Sequence, residues 1–177
     1  MYYFVAGAGQ DFRVWPADRF AEVARYLLET YPNQHIVLTG ASNEMSYADA
    51  FLAYIPESER VLNLTGKLSI AELIYVLSKA DVLIANETGI VHLAASTNTP
   101  TIVISQGKSL VRWHPYLPPL QGRIVHLYPE YIEQNRNNLS AIAPKFNPES
   151  LFPITIIEPD RAIRQLNVFL KRGVSFQ

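Results

Sequence analysis

Cysteine is absent from this 177-residue chain. That excludes disulfides, thiolate nucleophiles and cysteine-ligated zinc, and it fits a reducing compartment. No run reaches the ~18 apolar residues that a membrane span needs, and the opening MYYFVAGAG lacks the basic flank of a signal peptide. A cytoplasmic protein is therefore expected. An excess of one charge is missing too: 15 Lys and Arg stand against 16 Asp and Glu, for a net charge of -1. Nucleic acid is not an expected partner, because phosphate binding needs a concentrated basic face. Neither a Gly-Lys-Ser/Thr phosphate loop nor a Gly-x-Ser-x-Gly elbow occurs, which disfavours an ATPase or an α/β-hydrolase. GAGQDF carries Phe12 where a dinucleotide fingerprint requires its third glycine, so NAD and FAD are discounted.

What the chain does contain is alternation. About half the residues are apolar (49%), enough for one core of ordinary size, and a single domain over residues 1–177 is expected. Tyr2 to Ala6 reads as a strand running into Gly7-Ala8-Gly9. Pro16 suits the first turn of a helix whose apolar stripe is Phe20, Val23, Ala24, Leu27 and Leu28, ending near Pro32. HIVLTG is a short buried strand, residues 44 to 55 a helix, and VLNLTG another strand. Ser69 and Glu72 form a capping box before a helix whose stripe is Ile70, Leu73, Ile74 and Leu77. DVLIA, a helix to about Thr97, and TIVIS follow. Residues 105 to 122 read as a long loop, RIVHLY as a strand, the stretch to Pro159 as irregular, and residues 160 to 171 as a final helix. Parallel strands need helical crossovers, so this order predicts a Rossmann-like three-layer α/β/α sandwich with a mostly parallel sheet. Such sheets bind ligands beyond the carboxyl ends of their strands, where the loops 7–13, 39–44 and 86–89 fall.

VLIANETGIVHLAAS, residues 82 to 96, carries the densest chemistry. Thr88 is placed to cap a helix beginning near Gly89, and Gly89 lets a ligand approach the backbone; free N–H groups and the helix dipole there favour phosphate. The plainer reading is an N-cap and a turn. Glu87 fits neither role well. A carboxylate repels a diphosphate, so a useful Glu87 faces hydroxyl groups, with sugars the obvious candidates. His92, one turn on, is open to two readings: a site residue, or a buried histidine bonded to a loop. No second ligand stands at metal spacing beside it, and no metal site is expected. Arg13 suits a bidentate phosphate clamp or a surface position, and Glu44 a ribose contact or a helix start. Lys108, Arg112, Trp113 and His114 form a cluster that reads as a lid over an anionic ligand or as a surface loop.

In order, GAGQDFRVWP, VLTGASNE, LNLTGKLSIAELIYVLSKADVLIANETGIVHLAAS and PTIVISQG resemble the C-terminal domain of glycosyltransferase family 9, the ADP-heptose:lipopolysaccharide heptosyltransferases. The resemblance covers roughly residues 3 to 107. It implies one half of a GT-B enzyme, in which this half holds a nucleotide-diphosphate sugar, ADP-linked in the family. Thr88 and Gly89 then present a helix start to the diphosphate, Glu87 meets the donor sugar, Arg13 pairs with phosphate, Glu44 holds the ribose, and His92 matches the family's histidine. The Gly7 and Gly9 loop lines the cleft, and Gly107 belongs to the glycine loop after the last matched strand. No cofactor or metal is implied. Glu87 replaces the usual aspartate, Asn86 a serine and Lys108 a proline, so the base and sugar stay open.

The resemblance also implies what lies elsewhere. The acceptor-binding N-terminal domain, with the catalytic base, is absent from these residues, so no catalytic residue is expected in the chain and its partner is that domain or a separate chain. A donor half by itself is expected to have no acceptor site. The acceptor implied is lipopolysaccharide or another surface glycan, with peripheral contact at the inner face of the cytoplasmic membrane. The alternative from another class is a non-catalytic assembly module with a degenerate donor site.

Overall fold

The computed structural model describes residues 1–5, 7–55, 58–146 and 150–173. Six strands form one sheet: β1 (Tyr2–Val5), β2 (Ile36–Leu38), β3 (Val61–Asn63), β4 (Val82–Asn86), β5 (Thr101–Ile104) and β6 (Ile124–Leu127), in the order β3-β2-β1-β4-β5-β6. Every pairing is parallel. The period-2 geometry of strands splits the core in two. On one face Phe4, Leu38, Ile84 and Ile104 pack against α1 (Ala17–Thr30), α2 (Met45–Leu52) and α7 (Pro159–Gly173). On the other, Val5, Val37, Leu83, Ala85 and Val103 meet α3 (Ile70–Ser78) and α4 (Ile90–Ser96). This is the expected three-layer α/β/α sandwich with a parallel sheet.

Chemistry in the sequence places most boundaries. Pro16 is the N-cap residue of α1, and the helix gives way at Tyr31-Pro32. Ser69 and Glu72 form the expected capping box: the Ser69 N–H donates to Glu72 Oε2 at 2.8 Å and the Glu72 N–H to Ser69 Oγ at 3.3 Å. The expected stripe on α3 needs correction. Leu77 is fully buried, Leu73 and Ile74 are only partly covered, and Ile70 is 69% exposed. The helix packs on the sheet through Leu77, with Leu73 and Val76 partly buried beside it, and its first residue stays in solvent.

Residues 129 to 158 are less irregular than their sequence suggests. They contain α5 (Glu130–Gln134) and α6 (Leu139–Ile142) with single 3-10 turns at Arg136–Asn138, Ala143–Lys145 and Ile154–Ile156. Elements this short display no helical period. They gather around a separate cluster of Leu110, Tyr128, Ile132, Ile142, Ala143 and Phe146, which anchors the 105–122 loop to the sheet's β6 edge. Among the described residues no helix is long and apolar enough to cross a membrane.

The burial pattern on α3 separates two substitutions that spacing alone makes equivalent. Leu77→Ala should lower the unfolding free energy by about 2–4 kcal/mol, whereas Ile70→Lys should change it by less than ~0.5 kcal/mol. Urea unfolding of the two variants checks this, and a comparable loss in both would contradict it.

Candidate functional site

In an open parallel sheet the crevice forms where successive crossovers leave in opposite directions. Here β1 is followed toward β2 and β4 toward β5, so the crevice lies between the carboxyl ends of β1 and β4. Asn86, fully buried at the last position of β4, ties it together. Its Oδ1 accepts the Trp15 N–H at 2.9 Å and its Nδ2 donates to the Gly7 carbonyl at 3.1 Å. Both ends of the 7–15 loop are thereby fixed to β4. Trp15, itself buried, adds an indole N–H bond to Ile157 O at 2.8 Å. The 3-10 turn Asp11–Arg13 is held between these anchors.

Arg13 consequently reaches across the crevice to the residue after Asn86. Its Nη2 stands 3.5 Å from Glu87 Oε1, both side chains being mostly covered. The other carboxylate oxygen, Oε2, accepts from the Ser105 hydroxyl and lies 3.1 Å from His114 Nε2. His114 Nε2 also faces Lys108 O at 2.9 Å, so this nitrogen carries the hydrogen, because both neighbours are acceptors. Nδ1 then accepts from the Tyr128 hydroxyl at 2.7 Å. Burial pushes the Tyr128 phenol well up, which keeps it a donor. Glu87 is thus oriented at Oε2 by two donors, while among the described residues Oε1 has only the long Arg13 contact.

A pocket of about 370 Å³ opens beside this carboxylate, lined by Arg13, Glu87, Thr88, Gly89 and His92 on one side and by Ser109, Trp113, His114, Tyr116 and His126 on the other. His92 is exposed rather than buried, contrary to one of its two readings, and its Nδ1 is paired with the Tyr116 hydroxyl of the 105–122 loop. Trp113 meets it edge-on with centroids 5.9 Å apart. Thr88 does not cap α4: Gly89 holds the N-cap position with right-handed helical torsions and no side-chain cap is made. A Cβ on Gly89 would meet nothing within 4 Å, so folding alone does not call for glycine there.

The other expected site residues fall outside this pocket. Glu44 bonds back to its own turn through the Ala41 N–H at 2.8 Å and lies over Gly7, where a Cβ would stand 2.6 Å from Glu44 Cδ. It forms a separate acidic corner at the ends of β1 and β2. Gly9 is exposed, and a Cβ there would meet nothing within 4 Å. Gly107, at φ +88°, is buried with a would-be Cβ only 2.3 Å from Ile132 Cδ1, so its glycine is required by packing and backbone conformation.

Sequence reasoning grouped His114 with a lid or surface loop, but the structure buries it. Ser105, Tyr116, His126 and Tyr128 were passed over; the polar residue ending TIVIS and the histidine and tyrosine in RIVHLY are the signal for three of them, and Tyr116 has none within its loop. His114 stacks on His126 at 4.8 Å, and His126 on Tyr128 at 5.6 Å. His126 Nδ1 is buried without a hydrogen-bond partner among the described residues.

The sequence model of glycosyltransferase family 9 (heptosyltransferase) matches residues 1–140. The chain belongs to this family. Lipopolysaccharide heptosyltransferase 2 of Escherichia coli K12 is 24% identical over 160 residues, which is 88% of this chain and 42% of that protein. Lipooligosaccharide heptosyltransferase 2 of Haemophilus influenzae is 25% identical over 163 residues, 89% and 43% respectively. Among solved structures, a family 9 member from Veillonella parvula superimposes with a TM-score of 0.76 at 19% identity, covering 97% of this chain and 46% of that one. The E. coli ADP-heptose heptosyltransferase II does so at 0.68 and 22%, with the same coverage. The family chain thus spans less than half the length of these relatives.

Removing water from His126 holds its pKa well below the usual 6.5, and His114, Arg136 and His92 add to the effect. As pH falls through about 6.5 the unfolded chain binds this proton and the folded chain does not. The contribution of His126 to stability is therefore complete above that pH and lost below it, at up to ~1.4 kcal/mol per pH unit. Urea unfolding at about pH 7 and about pH 5 should show that His126→Phe flattens this decline. An unchanged slope would remove His126 as its source.

Proposed function

We propose that this chain is the donor-binding half of a GT-B glycosyltransferase that moves a heptose or similar sugar from a nucleotide diphosphate to a surface glycan. The observation that carries the reading is the pairing of Arg13 and Glu87 across the β1/β4 crevice. A guanidinium has five N–H donors, and among the described residues this one makes a single long contact, which leaves it able to take a phosphate bidentately. Glu87, braced at Oε2, keeps Oε1 for a sugar hydroxyl. Transfer breaks the bond between the anomeric carbon and the diphosphate oxygen, and the electron pair leaves with the nucleotide. Fixed positive charge at Arg13 and backbone N–H groups at Thr88 and Gly89 would stabilise that departing charge in the transition state. No cofactor is invoked.

The corner formed by Glu44 and Gly7 would take the ribose hydroxyls. A heptosyltransferase of this fold, E. coli WaaC, has been solved with ADP, which supports an adenine nucleotide here. The acceptor, and the base that deprotonates its attacking hydroxyl, would come from a second α/β domain or partner chain across the cleft. That reading is supported by the relatives' length, of which this chain matches 42–43%. An acceptor of the lipopolysaccharide class would bring the enzyme to the inner face of the cytoplasmic membrane.

Calorimetry against ADP, GDP and UDP tests the proposal: ADP should bind, and a folded protein with affinity for none of the three would favour a degenerate assembly module instead. Arg13→Ala should weaken binding by about 1–3 kcal/mol, as loss of a charge-assisted contact does.

Gly89→Ala provides a second, independent check. Its torsions and open surroundings predict unchanged or slightly raised stability, by up to ~1 kcal/mol, together with weaker nucleotide binding. Full retention of affinity would place the phosphates elsewhere.

A further inference from the structure

A larger cavity, about 610 Å³ between Phe12 and Phe152, is lined by one acid and one base, Asp11 and Lys108, and among the described residues none of its buried side-chain nitrogen or oxygen atoms lacks a hydrogen-bond partner. The Arg13 pocket differs. His126 stands in its lining with 2% of its surface exposed, and Nδ1 of that ring is buried without a partner among the described residues. The residue lies beyond positions 3–107, on which the family resemblance rests.

Packing alone does not call for a histidine there. Residues in register in a parallel sheet share a face, and the row that ends at His126 runs through Val5, Ala85 and Val103 on β1, β4 and β5, all buried against α3 and α4. A valine or isoleucine at 126 would extend this row and leave no polar atom unmet. The rings of His114, Tyr116 and Tyr128 lie within 22° of parallel to the imidazole, with centroids 4.8, 6.1 and 5.6 Å away. Faces covered in this way leave the edge of the ring for polar contact. Burial holds its pKa well below the usual 6.5, so near neutral pH the ring carries one N–H and one lone pair. A hydroxyl group, both donor and acceptor, can meet either.

We infer that His126 is a specificity-determining residue of the donor pocket, taking at its ring edge a hydroxyl of the transferred sugar other than the one on Glu87. His114 stands between the two groups: its Nε2 lies 3.1 Å from Glu87 Oε2 and its face stacks on His126. Glu87 and His126 are therefore held a ring apart, which selects a sugar with hydroxyls on non-adjacent carbons. Trp113, half exposed in the same lining, offers a flat apolar surface to the sugar's C–H groups. The inference rests on the reading of the Arg13 pocket as the donor site.

The test is heteronuclear NMR of the histidine ring nitrogens in the full chain, titrated with ADP and with ADP-heptose; the His126 signals are identified by their loss in His126→Phe. ADP-heptose should move the His126 nitrogens and ADP should leave them in place. His126→Phe should bind ADP as the unsubstituted chain does and ADP-heptose about tenfold more weakly, whereas a merely structural role would weaken both alike. His126 nitrogens that stay in place with ADP-heptose bound, an unchanged affinity for ADP-heptose in His126→Phe, or an equal loss for both ligands would overturn the inference. ADP affinity of the unsubstituted chain reports on the donor site separately.

Discussion

The candidate site depends on one side chain, the buried amide of Asn86. It accepts from the Trp15 N–H and donates to the Gly7 carbonyl, and so closes the loop between β1 and α1 onto the end of β4. A loop of this length has many conformations in isolation. Fixed at both ends, it delivers Arg13 to Glu87, the very next residue after Asn86. The relative placing of this cation and this carboxylate, proposed above to meet phosphate and sugar, is thus set by the hydrogen bonds of a third residue.

A second layer acts on the carboxylate alone. Tyr128, kept protonated by burial, fixes the tautomer of His114, and His114 together with Ser105 holds one oxygen of Glu87. A glutamate has one more rotatable bond than an aspartate, and these contacts supply the order that the extra methylene would otherwise lose. They arise from the end of β5, the 105–122 loop and the end of β6, so the half of the sheet farthest from the Glu44 corner holds the Glu87 carboxylate. The small cluster around Phe146 and Ile132 supports that loop from beneath, and it requires glycine at position 107.

Much of this was legible in the sequence because the signals are local. Capping boxes, proline boundaries and runs such as DVLIA report on the few residues around them, and strands alternating with helices leave little topological choice. Arg13, Glu87, Thr88, Gly89 and His92 were legible as candidates, and the fold brings them to one pocket. What was hidden is long-range. The partners of Glu87 lie 18 and 27 positions downstream, and no periodicity announces them. His114 sits in a loop whose charges and prolines suggest solvent, yet it is buried because Tyr128 and His126 stack against it. The separation of Glu44 from the Arg13 pocket depends on strand order across the sheet, which spacing along the chain does not encode.

The most direct measurement of the central claim is a crystal structure of the chain with a nucleoside diphosphate sugar bound. The account predicts phosphate oxygens at hydrogen-bond distance from the Arg13 guanidinium and the Thr88 and Gly89 amides, with a sugar hydroxyl on Glu87 Oε1. A nucleotide seated in the larger cavity between Phe12 and Phe152, with Arg13 still paired only to Glu87, would contradict it.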